Sequence, residues 1–266
     1  MEILLIFSLV ALTVLLYSPV CKLYERFLMK RHQQRFKCQQ EHYHYVISSN
    51  IRYYNYLTPQ EQVRFLFRTY LFRQSKKFHY IEVQPSPEMP LLISAVAVQL
   101  SFGLDKFRLD YFRDIFVLRD DYHYGFYSRP FQGHVDQSGV YLSWDNFLKG
   151  IRGMSRNCNV GLHEMAHALA YVNFITQTEE DKHFKKEFRN YSKIARPIFN
   201  SMQEGGKNIL GDYASTNYHE FWAVSVENFF ENPVRLKEDL PLLYDAMSKL
   251  LRQDPVHLYL TADVAA

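Results

Sequence analysis

Apolar positions recur along this chain at helical and strand spacing, and one long uncharged run precedes them. Residues Ile3 to Val20 read ILLIFSLVALTVLLYSPV, without a single charge. A helix rising about 1.5 Å per residue would make this run roughly 27 Å long, near the lower limit for crossing a bilayer. The run has no polar face, which argues against a buried helix of a soluble domain. Residues 1–20 are therefore expected to form a transmembrane anchor. A cleaved export signal is the alternative, but Glu2 stands where a basic residue is wanted and no small-x-small cleavage site follows.

Residues 21–50 are polar, basic and glutamine-rich, and are expected to form a juxtamembrane segment leading away from the anchor. Compact patterning begins near Ile51, so residues 51–266 are read as one domain. Thr58-Pro59-Gln60-Glu61 has the form of a helix start, with a threonine cap, proline at the first position and glutamate at the third. That helix is expected to run to Gln74. Leu91 to Leu100 is apolar with a helical look and stops before Gly103. Asp114 to Leu118 and Gly139 to Trp144 read as strands, and Tyr122 to Asp136 as irregular and aromatic. Helices are expected over Asn157–Phe174, Asn217–Glu231 and Pro241–Arg252. Helices dominate with a few strands, which defines an α+β domain.

Composition adds a core and an uneven charge. Of 266 residues, 47% are hydrophobic and 16% aromatic, enough to fill a domain interior and to exclude a disordered or fibrous chain. The net charge of +3 selects no partner. Between Lys22 and Lys37, however, six basic residues face only Glu25. Beside an apolar run, such a flank is explained by a membrane surface, so no nucleic acid is expected as a partner. The positive-inside rule then places the following domain in the cytoplasm. Cys21, Cys38 and Cys158 match no metal or redox spacing and suit free thiols in a reducing compartment.

The chemistry is concentrated in His163-Glu164-Met165-Ala166-His167, an H-E-x-x-H pattern. Residues i and i+4 share a helix face, so both imidazoles can reach one zinc ion, one per chain. The adjacent Glu164 is left to act on a water molecule as general base. Leu162, Met165, Ala166 and Leu169 can face the core, while Ala170 and Phe174 share the histidine face. A catalytic zinc needs a third protein ligand and an open position. On a helix from Asn217, Glu220, Ala223, Val224 and Glu227 line one side, and the small residues leave room for the motif helix. Glu220 is the leading ligand candidate and His219 its competitor. Asn217 and Glu220 also fit a capping box.

The chain resembles the zinc peptidase family of Mlc titration factor A over about Leu57 to Pro255. The segments that carry this are Ser101–Leu118, Gly139–Gly150, NVGLHEMAHALA (Asn159–Ala170), YASTNYHEFWAVSVENFFENP (Tyr213–Pro233) and LLRQDP (Leu250–Pro255). The resemblance implies that Glu220 is the third zinc ligand, in a pattern where Trp222 replaces a phenylalanine. It implies a zincin-like fold with an active site similar to that of the anthrax lethal factor catalytic domain. There a tyrosine precedes the ligand glutamate by seven residues, as Tyr213 precedes Glu220. It also implies aminopeptidase-like action on a peptide or protein substrate. The family commonly carries an aspartate soon after the second histidine; here the run is His167-Ala168-Leu169-Ala170. Repressor binding by the founding member is not carried over, and a regulatory protein partner stays open.

These residues together predict hydrolysis of peptide bonds, with Glu164 moving the proton and Tyr213 donating to the oxyanion. Glu227 would orient a histidine ligand, unless it is a solvated helix charge. The Gly139–Trp144 strand would bind substrate backbone by strand addition, or else be a core strand. The rival reading is a membrane-tethered regulatory binding protein with a structural or vestigial zinc site. An intact Glu164 argues against it, since a structural site has no use for a base.

Overall fold

The computed structural model describes residues 2–125, 130–154, 159–176 and 181–265, with side chains between positions 19 and 260 of those spans. The chain divides into two units, Met1–His42 and Tyr43–Ala266. The first is dominated by helix α1 (Glu2–Lys37), which contains Pro19 and carries Arg35 and Lys37 in its last turn. Among the described residues no helix is long and apolar enough to cross a membrane, so the expected span finds no support here. Most of Ile3–Val20 lies outside the residues whose side chains are described. Cys21 and Cys38 are free thiols, and Cys158 lies outside the described residues.

The larger unit is mainly helical with a four-stranded sheet. Helices α2 (Gln40–Asn50), α3 (Arg52–Asn55) and α4 (Pro59–Gln74) lead into strand β1 (Lys77–Ile81). The start of α4 has the expected capping box. Thr58 accepts from the Glu61 backbone, and the Glu61 carboxylate accepts from the Thr58 backbone. Such a cap is worth about 1 kcal/mol.

Helix α5 (Glu88–Ser101) is buried from Met89 to Ser101 and forms the centre of the core. Its apolar Leu-Leu-Ile and Ala-Val-Ala-Val runs let α4 pack on one side and the motif helix α7 (Val160–Phe174) on the other. Gly161 makes the close approach of α7 possible: a Cβ there would lie 2.6 Å from the Phe147 ring and 3.1 Å from Val96.

Strands β2 (Asp114–Leu118), β3 (Gly133–Asp136) and β4 (Gly139–Ser143) complete the sheet in the order β1-β2-β4-β3. The β1–β2 and β2–β4 pairs are parallel, and β3–β4 is antiparallel. Ile115, Val117, Val140 and Leu142 are buried on one face. This corrects the expectation of strand addition at Gly139–Trp144. Strand β4 is paired on both sides and has no free edge, so it is a core strand. The edge strands are β1 and β3, and β3 lies within the stretch expected to be irregular. Trp144 does not extend the strand either: Ser143 caps helix α6 (Trp144–Ile151), which starts there.

Helix α8 (Lys182–Gln203) packs against α11 (Pro241–Leu251), and α9 (Tyr218–Glu231) against α7. A short 3-10 turn at Asp212–Ser215 precedes α9, and α10 (Pro233–Asp239) and α12 (Pro255–Ala265) complete the unit.

Candidate active site

Helix α7 begins at Asn159, whose side chain accepts from the Leu162 backbone. Leu162, Met165, Ala166 and Leu169 are buried, as their spacing predicts. The opposite face carries His163, His167, Ala170 and Phe174 to the wall of a cleft of about 680 Å³. Helix α9 crosses beside it, and the Trp222 indole donates to the Ala166 carbonyl (2.9 Å). Trp222 thereby ties the two helices together and also lines the cleft.

This crossing brings Glu220 against both histidines. His163 Nε2 lies 2.9 Å from Glu220 Oε2, His167 Nε2 lies 3.7 Å from Glu220 Oε1, and the two Nε2 atoms are 3.1 Å apart. One ligand atom from each of the three residues falls within 4.8 Å of the others, the one such group found among the described residues. Asn217 caps α9 by accepting from the His219 and Glu220 backbones, while the Glu220 carboxylate turns to the histidines. His219 is exposed on the cleft rim and is not in this group.

Glu227, two turns along α9, is not a solvated charge. It is 3% exposed; Oε1 accepts from His163 Nδ1 (2.7 Å) and Oε2 from the Asn159 backbone (2.6 Å). Asn159 Nδ2 in turn donates to Glu231 Oε1 (2.7 Å). The N-terminus of α7 and its first histidine are thus held by one face of α9.

Glu164 is buried, and its Oε2 has no hydrogen-bond partner among the described residues. Strand β3 presses on it from the sheet: a Cβ on Gly133 would lie 2.6 Å from Glu164 Cγ and 2.7 Å from Oε1. Only glycine leaves room for the carboxylate at that place. Tyr213 stands on the 3-10 turn, 60% exposed, with its ring centroid 6.0 Å from that of His163.

The ionisable groups of the cluster shift one another. Burial pushes the Glu164 carboxyl up to about 8, opposed by His163 and reinforced by Glu220 and Glu227. Burial acts in the same sense on Glu220, but hydrogen bonds from His163 and His167 outweigh it and hold that carboxyl far below the usual range. Burial disfavours a charged His163, yet the flanking Glu220 and Glu227 raise its pKa well above the ordinary value. His167 is shifted down, chiefly by burial. Two imidazoles and a carboxylate that must share protons to coexist are a donor set suited to zinc, which replaces the shared protons. An unpartnered carboxylate beside them fits a base aimed at a molecule in the cleft.

Some cleft residues escaped the sequence reading. Helix α8 supplies Phe188, Ser192 and Arg196, spaced four apart along one face. Their apolar neighbours Phe184, Tyr191 and Ala195 have helical spacing, but Pro197 interrupts the pattern. Gly133 and Asn159 act through a close approach and a backbone bond, which no side-chain pattern records.

A model of the family described as glucose-regulated metallo-peptidase M90 matches residues 26–252. An uncharacterized protein of Synechocystis sp., slr2042, is 22% identical over 234 residues, covering 81% of this chain and 85% of its own length. The segments carrying the resemblance to Mlc titration factor A fall within the matched region. With a match over most of its length, the chain belongs to the glucose-regulated metallo-peptidase M90 family, the family of Mlc titration factor A.

Proposed function

We propose that this metallopeptidase hydrolyses peptide bonds with zinc held by His163, His167 and Glu220, Glu164 as general base and Tyr213 as oxyanion donor. The observation that carries this reading is the convergence of three ligand atoms beside a buried, unpartnered Glu164 carboxylate in one cleft. Zinc bound there would lower the pKa of water and polarise the scissile carbonyl. Glu164 takes a proton from the attacking water and delivers it to the leaving amine. Tyr213, on the cleft wall, donates to the oxygen as negative charge develops on it, an interaction worth about 3 kcal/mol in comparable sites. Glu227 keeps the His163 ring oriented and its Nδ1 protonated, leaving Nε2 for the ion. Aminopeptidase-like action is the form of the reaction that the family resemblance suggests.

The experiment is zinc content measured together with cleavage of a peptide library. About one zinc per chain is expected, lost in His163→Ala, His167→Ala and Glu220→Ala but kept in His219→Ala. Glu164→Gln should keep zinc and lose hydrolysis by about a hundredfold or more. Tyr213→Phe should keep zinc and lower kcat more than it raises KM. Equal activity of Glu164→Gln and the natural protein would remove the mechanism. Zinc binding without cleavage of any peptide would favour the regulatory binding protein instead.

We further propose that residues 3–20 anchor the chain in a membrane, with the peptidase unit in the cytoplasm. What supports this is the uncharged run and the basic flank that follows it.

A further inference from the structure

The active-site cleft has two chemically different ends, and helix α8 runs along both. At one end Phe188 meets Phe174, with ring centroids 4.7 Å apart, and Trp222, at 5.4 Å. Phe174 keeps 40% of its surface open, so this end offers aromatic surface to a ligand. Two helical turns further along α8 stands Arg196, the one lysine or arginine on the cleft wall among the described residues. Its guanidinium lies over the Tyr218 ring, 4.8 Å from the centroid. Tyr218 is itself fixed by an edge-on contact with Phe199 (5.6 Å) and a stacked one with Phe221 (6.0 Å). Tyr218, Arg196 and Glu220 all line this cleft, so the cation stands on the wall of the cleft that holds the ligand cluster.

Arg196 has no carboxylate partner among the described residues and remains exposed. A guanidinium stacked on an aromatic face keeps its N–H edge for other groups, and its planar fork matches a carboxylate. Lysine at the same place would present only a point charge.

We propose that Arg196 binds a carboxylate of the substrate while Phe174 and Phe188, backed by the buried Trp222, take an adjacent apolar side chain. This inference rests on the peptidase reading and names the substrate class for it: peptides that combine a bulky apolar residue with a nearby carboxylate. The carboxylate has two sources, the C-terminus of a short peptide or an acidic side chain.

The test uses the full chain loaded with zinc and matched peptides sharing one apolar core. One pair differs by a free or amidated C-terminus, the other by an internal Asp or Asn. The source is the pair whose acid form has the higher kcat/KM, by about tenfold for a charge-assisted contact. In Arg196→Ala that ratio should collapse toward one, with the loss in KM rather than kcat. Arg196→Lys should keep part of it, and Arg196→Glu should invert it. An unchanged ratio in Arg196→Ala, or cleavage by the natural protein with no preference in either pair, would overturn the inference and leave the peptidase reading standing. If no peptide is cut at all, the peptidase reading falls and takes this inference with it.

Discussion

His163 Nδ1 donates to Glu227 Oε1 at 2.7 Å, and the second oxygen of the same carboxylate accepts from the Asn159 backbone at 2.6 Å. One buried carboxylate therefore fixes both the tautomer of His163, a proposed metal ligand, and the start of the helix that carries it. Both of its partners are donors. Glutamine at 227 would offer one acceptor and one donor, leaving an N–H facing an N–H, a cost of about 1–3 kcal/mol for a buried group. Glu227→Gln and Glu227→Ala are each expected to lower zinc affinity by about 10–100-fold. Competition with a chelator measures this, and circular dichroism checks that the helices persist. Unaltered zinc affinity in a folded Glu227→Ala protein would reduce Glu227 to a packing residue.

A second carboxylate ties the end of the unit together. Asp254 accepts from the Tyr244 hydroxyl of α11 and from the His257 backbone in the first turn of α12. Burial acts to raise its pKa, but the Tyr244 and His257 hydrogen bonds outweigh that and lower it. A carboxyl depressed in the folded state contributes stability that is present above its unfolded value, near 4, and lost as pH falls through the folded value. Asp254→Asn should therefore destabilise the protein at pH 7, by about 1 kcal/mol for a partly exposed group, and by less at pH 3, where the carboxyl of the unfolded chain is already protonated. Thermal unfolding at the two pH values measures the difference. An equal loss at both would mean that shape, not charge, is what Asp254 supplies.

The parts of the site legible in the chain are those whose chemistry has a local period. His163, Glu164 and His167 sit on one helix, so their spacing alone states which atoms meet. Glu220 and Glu227 share a helix face whose small residues leave room for α7, which makes Glu220 the leading ligand candidate, and the likeness to a known family strengthens that choice. Strand β3 has four residues in a stretch rich in aromatics, and it exists as a strand only because β4 pairs with it. Helix α8 was hidden by Pro197, which lies inside it. What stayed illegible is the part made by distant segments: the edge strand over Glu164 and the aromatic and cationic wall opposite.

The membrane proposal is tested by protease protection. Residues 3–20 carry no charge, and Lys22 to Lys37 hold six basic residues that anionic lipid would attract by about 1 kcal/mol for each one near the surface. The chain should fractionate with membranes, and the peptidase unit should be digested in inverted vesicles but not in sealed cells. Digestion from outside the cell, or a mature chain beginning after residue 20, would sink the cytoplasmic placement.

Gly133 gives the sharpest test of the geometry around the base. It belongs to the edge strand β3 and contributes no ligand and no polar side chain. A methyl group there would meet Glu164 Cγ at 2.6 Å, Oε1 at 2.7 Å and Cδ at 2.9 Å, all closer than van der Waals contact allows. Either the carboxylate turns away or the edge strand moves. Glu164 is the softer of the two, because its Oε2 has no hydrogen bond to hold it, whereas β3 is tied to β4 from Gly133↔Leu142 to Asp136↔Gly139. Gly133→Ala is therefore expected to keep zinc and the fold while lowering kcat by about a hundredfold, the order of a lost general base. Gly133→Ala combined with Glu164→Gln should then be little worse than Glu164→Gln alone, since both changes remove the same function. Zinc content, unfolding temperature and kcat for the four proteins decide it. Full activity in Gly133→Ala, or losses that simply multiply in the double variant, would show that the edge strand does not act through Glu164.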